Sequence, residues 1–551
     1  MHRALLAFCL SLAAAPSGVA LPQSDWVLDA LLLEGQTQPG LGTLIKPTGG
    51  ALNNQGDWAA HALVTPQGIT TRGLLIKNGA LVIGDGDALS APPGAKLGTL
   101  GTSALAFGPA LDERGDVYWN GTFVPEGGFP IACIGRNDRV LLTPFESELN
   151  PGGPVWVDFF ALQARGAGEL LVGGRISDPL MPFPFRTVLA KVRVEASGQV
   201  SGSTVLAELD EPDPNWPGTL AQFSTWNTGF ALGADNSFVW TGALDIDGVE
   251  LEAVGRDGTL LAIEGAPAGA LGDWLAFDPA GVALGPFGTP AWRGTVLSNG
   301  PGQQALFAVF VAGAVNWVTG VALPTDPNRA FVAPLVAPMH FASDGRLALV
   351  LEWEQPGVGI GESLFLGDEP VIEVGDTTVE GHVLDQLFEG YRAMDGRDDG
   401  GAFVVDARTT LGVNGLFRAR RAGQTEVLVG CTTPAAQLRA TDGGPQLGEP
   451  LALEIKSEAF ASAALFLGVG APGVDALTPC GPVFPGIGEL LLDPLQFNLQ
   501  SLGSAALPAD VEVGVPFVPD LIGQSTALQA LLVDGLGQVQ LTNGLRVTLG
   551  G

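Results

Sequence analysis

One phrase recurs along most of this chain: a small or apolar pair, a polar turn ending near Gly or Asn, then an apolar strand. The copies are ALNNQGDWAAHALV (from Ala51), ALDERGDVYWNGTFV (Ala110), ALQARGAGELLVGG (Ala161), ALGADNSFVWTGAL (Ala231), AFDPAGVALGPFG (Ala276) and HFASDGRLALVLEW (His340), with a looser MDGRDDGGAFVVDA (Met394). They stand about 45 to 70 residues apart, the interval of units that cannot bury their apolar faces alone and must stack on their neighbours. Asn, Asp and Gly supply the positive φ angles of a tight hairpin, after which side chains alternate between faces. Val117, Trp119 and Phe123 then share a face, as do Leu347, Leu349 and Leu351, while the opposite faces hold Ala348, Val350, Val239 and Ala243. Strands apolar on both sides belong to sheets packed between other sheets.

A second phrase follows several copies: TRGLLIKNGALVIGDGDAL (Thr71–Leu89), VGRDGTLLAIEGAPAGA (Val254–Ala270) and ESLFLGDEPVIEVGDT (Glu362–Thr377). Each reads as a hairpin ending in an acidic-Gly strand end. Two hairpins per unit make four strands, the composition of a β-propeller blade. The opening WVLDALLLEGQTQPG (Trp26–Gly40) resembles only the closing strand of a unit and is expected to complete the last blade. The prediction is an all-β chain, with a β-propeller of about seven blades (six to eight) over 21–429. An irregular solenoid or tandem sandwiches are the rival architectures. The one helix candidate is HVLDQLFEGYRAM (His382–Met394).

From about Gly430 the texture changes. Alternation at Leu451, Leu453 and Ile455, at Val511, Val513 and Val515, and at Leu545, Val547 and Leu549 predicts a β-sandwich over 430–551. The repeat region resembles a family of secreted proteins with tandem Asn-x-x-Gly-x-x-Ala-Phe repeats: Asn53, Gly56 and Ala59 fit, and Asp112–Gly115 and Asp278–Gly281 keep the turn. Ala60 stands where that pattern has Phe. The resemblance implies a propeller-like array with no assigned activity. Gly430–Gly551 resembles a C-terminal β-sandwich module found at the ends of large secreted proteins of environmental bacteria. The matching residues include Gly430-Cys431, Leu467-Gly468, Gln529-Ala530 and Thr542-Asn543-Gly544-Leu545. That module places its second Cys before the Leu-rich strand, where this chain has Glu489. The likeness implies a structural or cell-surface accessory domain.

Residues 1–20 carry the tripartite pattern of an export signal: Arg3, an apolar run, then small residues before a cut after Ala20. No later stretch offers the roughly 18 uninterrupted apolar residues of a membrane helix, so an extracellular, cell-surface or periplasmic monomer is expected. Cys9 leaves with the signal. Cys431 and Cys480 are then the candidate disulfide, with Cys133 a buried spare thiol. A net charge of −32, with RARR (Arg418–Arg421) the sole basic cluster, argues against nucleic acid as a partner. The acidity serves solubility, or else provides a field that gathers cations, Ca²⁺ included.

Motifs for chemistry are sparse. His61 and His340 occupy equivalent repeats and would meet only if both faced the propeller axis. Acidic groups at Asp85/Asp87, Asp245/Asp247 and Asp395/Asp398/Asp399 have the composition of Ca²⁺ loops without their spacing. Neither catalytic residues nor a metal site can be assigned. Repeat tryptophans Trp58, Trp119 and Trp240 read as core, whereas Trp216 and Trp226, in a Pro/Asn-rich insertion, are the candidate ligand-stacking aromatics. The expected function is a non-catalytic secreted or surface binding protein for a polysaccharide or cell-surface protein. The alternative is a carbohydrate-active hydrolase or lyase with carboxylates at the propeller mouth.

Overall fold

The computed structural model describes residues 26–551 apart from short segments, the longest being 66–70, 102–107, 211–216, 224–228, 388–393, 429–435, 473–482 and 516–524. The described residues form strands and turns with no α-helix. The helix expected over His382–Met394 begins instead as a strand, His382–Leu387, in which Leu384 pairs with Thr409 and Leu387 with Ala407. Tertiary pairing with a buried neighbour overrides local propensity there.

Seven antiparallel sheets follow one another, six of them built outward in chain order and the seventh closed by the first strand. Blade 1 runs Gly42–Leu52, Trp58–Thr65, Arg72–Lys77 and Ala80–Gly84. Blade 2 is Lys96–Leu100 with Ala110–Leu111, then Val117–Val124, Ile131–Arg136 and Arg139–Leu142. Blade 3 is Val155–Arg165, Glu169–Asp178, Met181–Val194 and Val200–Glu208. Blade 4 is Thr219–Phe223 with Phe230–Leu232, Phe238–Ile246, Val249–Arg256 and Thr259–Ile263. Blade 5 is Gly272–Leu284, Pro290–Ser298, Ala305–Val311 and Ala314–Val318. Blade 6 is Asp326–Pro334 with His340–Phe341, Leu347–Gln355, Gly359–Leu366 and Glu369–Glu373. Blade 7 takes His382–Leu387 with Met394–Gly396, Ala402–Thr409 and Asn414–Arg421, and its outermost strand is Trp26–Leu33, paired antiparallel from Trp26↔Arg421 to Leu33↔Gly415.

That last pairing closes the ring, as the opening segment of the sequence suggested. Each neighbouring pair of blades shares an apolar core. Leu44, Trp58 and Ile76 pack with Leu32, Val404 and Leu416 between blades 1 and 7, and Trp119 packs with Leu75 and Ile83 between blades 1 and 2. Strands apolar on both faces are therefore what a ring of sheets requires.

After each blade's last strand one residue turns left-handed and donates its N–H to the inner strand of the next blade. These seven links are Gly35→Leu44, Gly86→Leu97, Phe145→Trp156, Asp210→Leu220, Gly265→Trp274, Gly320→Phe331 and Gly375→Leu384, at 2.6–3.0 Å. All seven have φ between 63° and 91°, a region where L side chains are strained and glycine is not. The acidic-Gly strand ends in the sequence are these links.

The inner turn also repeats. Asn53, Asp112, Gly233, Gly285 and Ala342 each donate N–H to the carbonyl four residues on. This corrects one repeat. Asp278–Gly281 is not that turn but a break inside the inner strand of blade 5, between the pairs Phe277↔Gly294 and Val282↔Trp292. The true copy starts at Ala283, and two nearby Gly-containing turns made the register ambiguous in the sequence.

The C-terminal residues form one hydrogen-bonded sheet path. A single parallel pair, Ala436↔Thr542, joins its two wings. Leu438, Leu453 and Ile455 of one wing and Leu467, Leu528 and Val547 of the other share one core. Gln424–Leu428 pairs with Val539–Thr548, so this sheet begins a little before Gly430.

Candidate functional site

Seven inner strands converge on a cavity of about 220 Å³, lined at each blade by the end of the inner strand. The apolar pairs that open the sequence repeats, Ala51–Leu52, Ala110–Leu111, Ala231–Leu232 and Ala283–Leu284, are this lining. Its polar members tie blades together. The Asn54 N–H donates to Glu113 Oε2 at 3.2 Å, Gln163 Nε2 donates to the Phe230 carbonyl at 2.7 Å, and the Leu52 N–H donates to Asp395 Oδ2 at 2.9 Å. His340 lines the cavity, with Nδ1 3.9 Å from Asp395 Oδ1. His61 does not: it is wholly buried on the second strand of blade 1, so the two histidines are not brought together at the axis.

Six inner strands are broken midway, and opposite five of the breaks the second strand carries a polar residue: His61, Asn120, Thr241, Arg293 and Asp406. Thr241 Oγ1 donates to the Pro279 carbonyl at 3.2 Å, and Arg293, with no exposed surface, donates through Nε to Asp278 at 2.7 Å. A broken strand leaves backbone groups without ladder partners; Thr241 answers such carbonyls, while Arg293 holds the Asp278 carboxylate at its break. This set was missed in the sequence. Its signal was one polar residue in an apolar strand, as in WAAHALV, FVWTGAL and PAWRGTV.

Several carboxylates are latches. Asp85, Glu252 and Glu362 each accept a backbone N–H from the next blade's inner strand, from Leu100, Phe277 and Leu387 at 2.7–2.9 Å. Asp87 is bound to Arg72, and Asp245 accepts the Gly248 N–H within its hairpin. Among the described residues no three His, Cys, Asp or Glu side chains are grouped to hold a metal ion. Asp398, Asp399, Trp216, Trp226, Cys431, Cys480 and residues 1–25, which include the expected export signal, lie outside the described residues. Trp58, Trp119 and Trp240 are core, and Cys133 is a buried free thiol.

The two faces of the ring differ. On the face carrying the loops between second and third strands and the blade-to-blade links, exposed apolar side chains recur: Phe129, Phe145, Phe183, Val249, Ile360 and Leu411. Phe129 is 88% exposed and Phe183 73%. Beside the turns between third and fourth strands, on the opposite face, the exposed apolar side chains are fewer and less exposed, Leu81 at 38% and Val315 at 42%. The three most exposed phenylalanines fall on adjacent blades 2 and 3. Phe145, 66% exposed, is also a link residue, with φ 63° where five of the seven links are Gly.

No protein-family model matches the chain, and no curated protein matches it. Among solved structures it is similar to a protein of unknown function from Dyadobacter fermentans DSM 18053, at 14% identity over 59% of this chain and 98% of that one, with a TM-score of 0.26. It is also similar to a glycosyl hydrolase from Bacteroides ovatus (10% identity, 48% and 85% coverage, TM-score 0.20) and to sucrose-6-phosphate hydrolase from Lactobacillus gasseri (7%, 96% and 93%, TM-score 0.22). Scores this low carry no argument about function, and the propeller stands on the strand pairing of this chain.

Proposed function

We propose that this is a non-catalytic binding protein, exported from the cytoplasm by its N-terminal segment, that meets its partner with the Phe-bearing face of the propeller. The carrying observation is Phe145. A left-handed L residue costs about 1–2 kcal/mol, and glycine relieves that cost at five sister positions. The chain keeps an exposed, bulky phenylalanine where packing does not need it, and strain retained at the surface points to function. Phe129 and Phe183, exposed on the same face of blades 2 and 3, add apolar surface of the kind that marks an interaction surface when contiguous. The acids tied up as latches and blade ties favour binding over hydrolysis. The test is an array of glycans and proteins probed with the full chain and with a Phe129→Ser/Phe145→Gly/Phe183→Ala variant. Loss of at least about tenfold in affinity at unchanged fold is expected, each tenfold being about 1.4 kcal/mol. Equal binding by both chains would remove the reading.

A further inference from the structure

We infer that the hairpin of blade 3 around Phe183 is a subsite for a neutral pyranose polymer; this rests on the binding-face reading above and names the ligand class. Phe183 and Phe185, on either side of the cis-linked Pro184, bring their rings together with centroids 4.9 Å apart at 45°. Arg175, on the adjoining strand opposite Thr187, places its guanidinium 5.4 Å from the Phe185 ring centre. Asp158 fixes that guanidinium: Arg175 Nε donates to Oδ2 at 2.7 Å, Nη2 donates to the same oxygen, and the Arg175 backbone N–H donates to Oδ1 at 3.0 Å. Both charged side chains stay partly exposed, at 47% and 38%.

The result is a row of aromatic ring, aromatic ring, guanidinium and carboxylate, held on strands instead of a free loop. A ligand covering the row must present a flat apolar patch directly beside a dense set of hydroxyls. A pyranose does so: its axial C–H groups give an apolar face for Phe183 and Phe185, and its equatorial hydroxyls are donors for Asp158 and acceptors for Arg175. An apolar peptide would leave the ion pair desolvated and unanswered, which is costly. The pair is internally neutral and the chain carries −32 overall, so an anionic polymer would be repelled. Two of the five N–H donors of Arg175 are spent on Asp158 side-chain bonds, which leaves donors for a ligand.

The experiment is affinity electrophoresis and calorimetry of the full chain on neutral polysaccharides (mannan, β-glucan, galactan) and anionic ones (alginate, polygalacturonate). Retardation by at least one neutral polymer is expected, with affinity falling about tenfold or more in Phe183→Ala and in Arg175→Ala. Phe183 is surface-exposed, so its variant should melt with the native chain and a binding loss cannot be laid to unfolding. Phe307→Ala in blade 5 should bind as the native chain does. Binding only to anionic polymers, or to neutral ones with Phe183→Ala unaffected, overturns the subsite. If a protein partner is bound through Phe129 and Phe145 while every neutral glycan is ignored, the glycan assignment falls and the binding face survives. If neither class of ligand is bound through that face, both fall.

Discussion

At the scale of single residues, the second and third strands of three blades show one repeated solution. Trp119, Trp240 and Trp353 lie across from Gly135, Gly255 and Gly361, and a Cβ on any of those glycines would collide with the facing indole. The Trp119 indole N–H donates to the Asn137 carbonyl at 2.8 Å, so the ring cannot simply swing away. Gly135→Ala is expected to destabilise by about 1–3 kcal/mol, read as a lowered midpoint in urea. Phe145→Gly should act in the opposite sense. It relieves about 1–2 kcal/mol of left-handed strain and concedes about 0.5–1 kcal/mol of glycine entropy, so a net gain of about 0.5–1 kcal/mol is expected from the same titration. A loss would show that Phe145 packs in the fold and is not held there for a partner.

Strands and clasps govern the next scale. The outer strand of blade 7 buries Trp26, Leu28 and Leu32, each contributing about 1.5–3 kcal/mol. Together this approaches the whole stability of an ordinary domain, about 5–15 kcal/mol. Removing residues 26–33 should therefore abolish cooperative unfolding of the propeller in calorimetry, and a sharp, native-like transition would contradict ring closure by this strand. The sole basic cluster is spent on the same clasp. Arg418 and Arg420 donate to Asp29 at 3.1 and 2.6 Å, and Arg421 lies over the Trp26 ring and pairs with Glu369 at 2.5 Å. In the C-terminal sheet, buried Gln529 serves Glu489, Leu491 and Thr542 with hydrogen bonds of 2.7–2.9 Å, and Asn543 clamps both backbone groups of Leu438 at 2.8 Å. Gln529→Ala leaves those buried groups unpaired and should cost about 1–3 kcal/mol, measurable as a lowered melting temperature.

For the molecule as a whole, stability should depend on alkaline pH. Burial pushes the Cys133 thiol up to about 12, and burial with the nearby Asp112 charge raises the Tyr118 phenol. Both groups stay neutral in the fold, whereas an unfolded chain would release their protons near 9 and 10. The native state then binds more protons, so the stability these groups contribute is complete below pH 9 and is lost as pH climbs toward 12. A urea midpoint that is flat from pH 8 to 11 would contradict this. The same burial makes Cys133 a reporter of opening: alkylation at pH 8 should be slow in the native chain and fast in urea.

The sequence by itself determined the all-β class, the four-stranded unit, the closing role of Trp26–Leu33 and the core placement of Trp119 and Trp240. Each of these follows from local turn chemistry and from strands apolar on both faces, which a short stretch of chain displays. Tertiary structure alone decided which carboxylates are latches, that His61 and His340 never meet, that His382–Leu387 is a strand, and that the exposed phenylalanines share one face. Those facts join residues of different blades, far apart along the chain, and only closing the ring sets their distances.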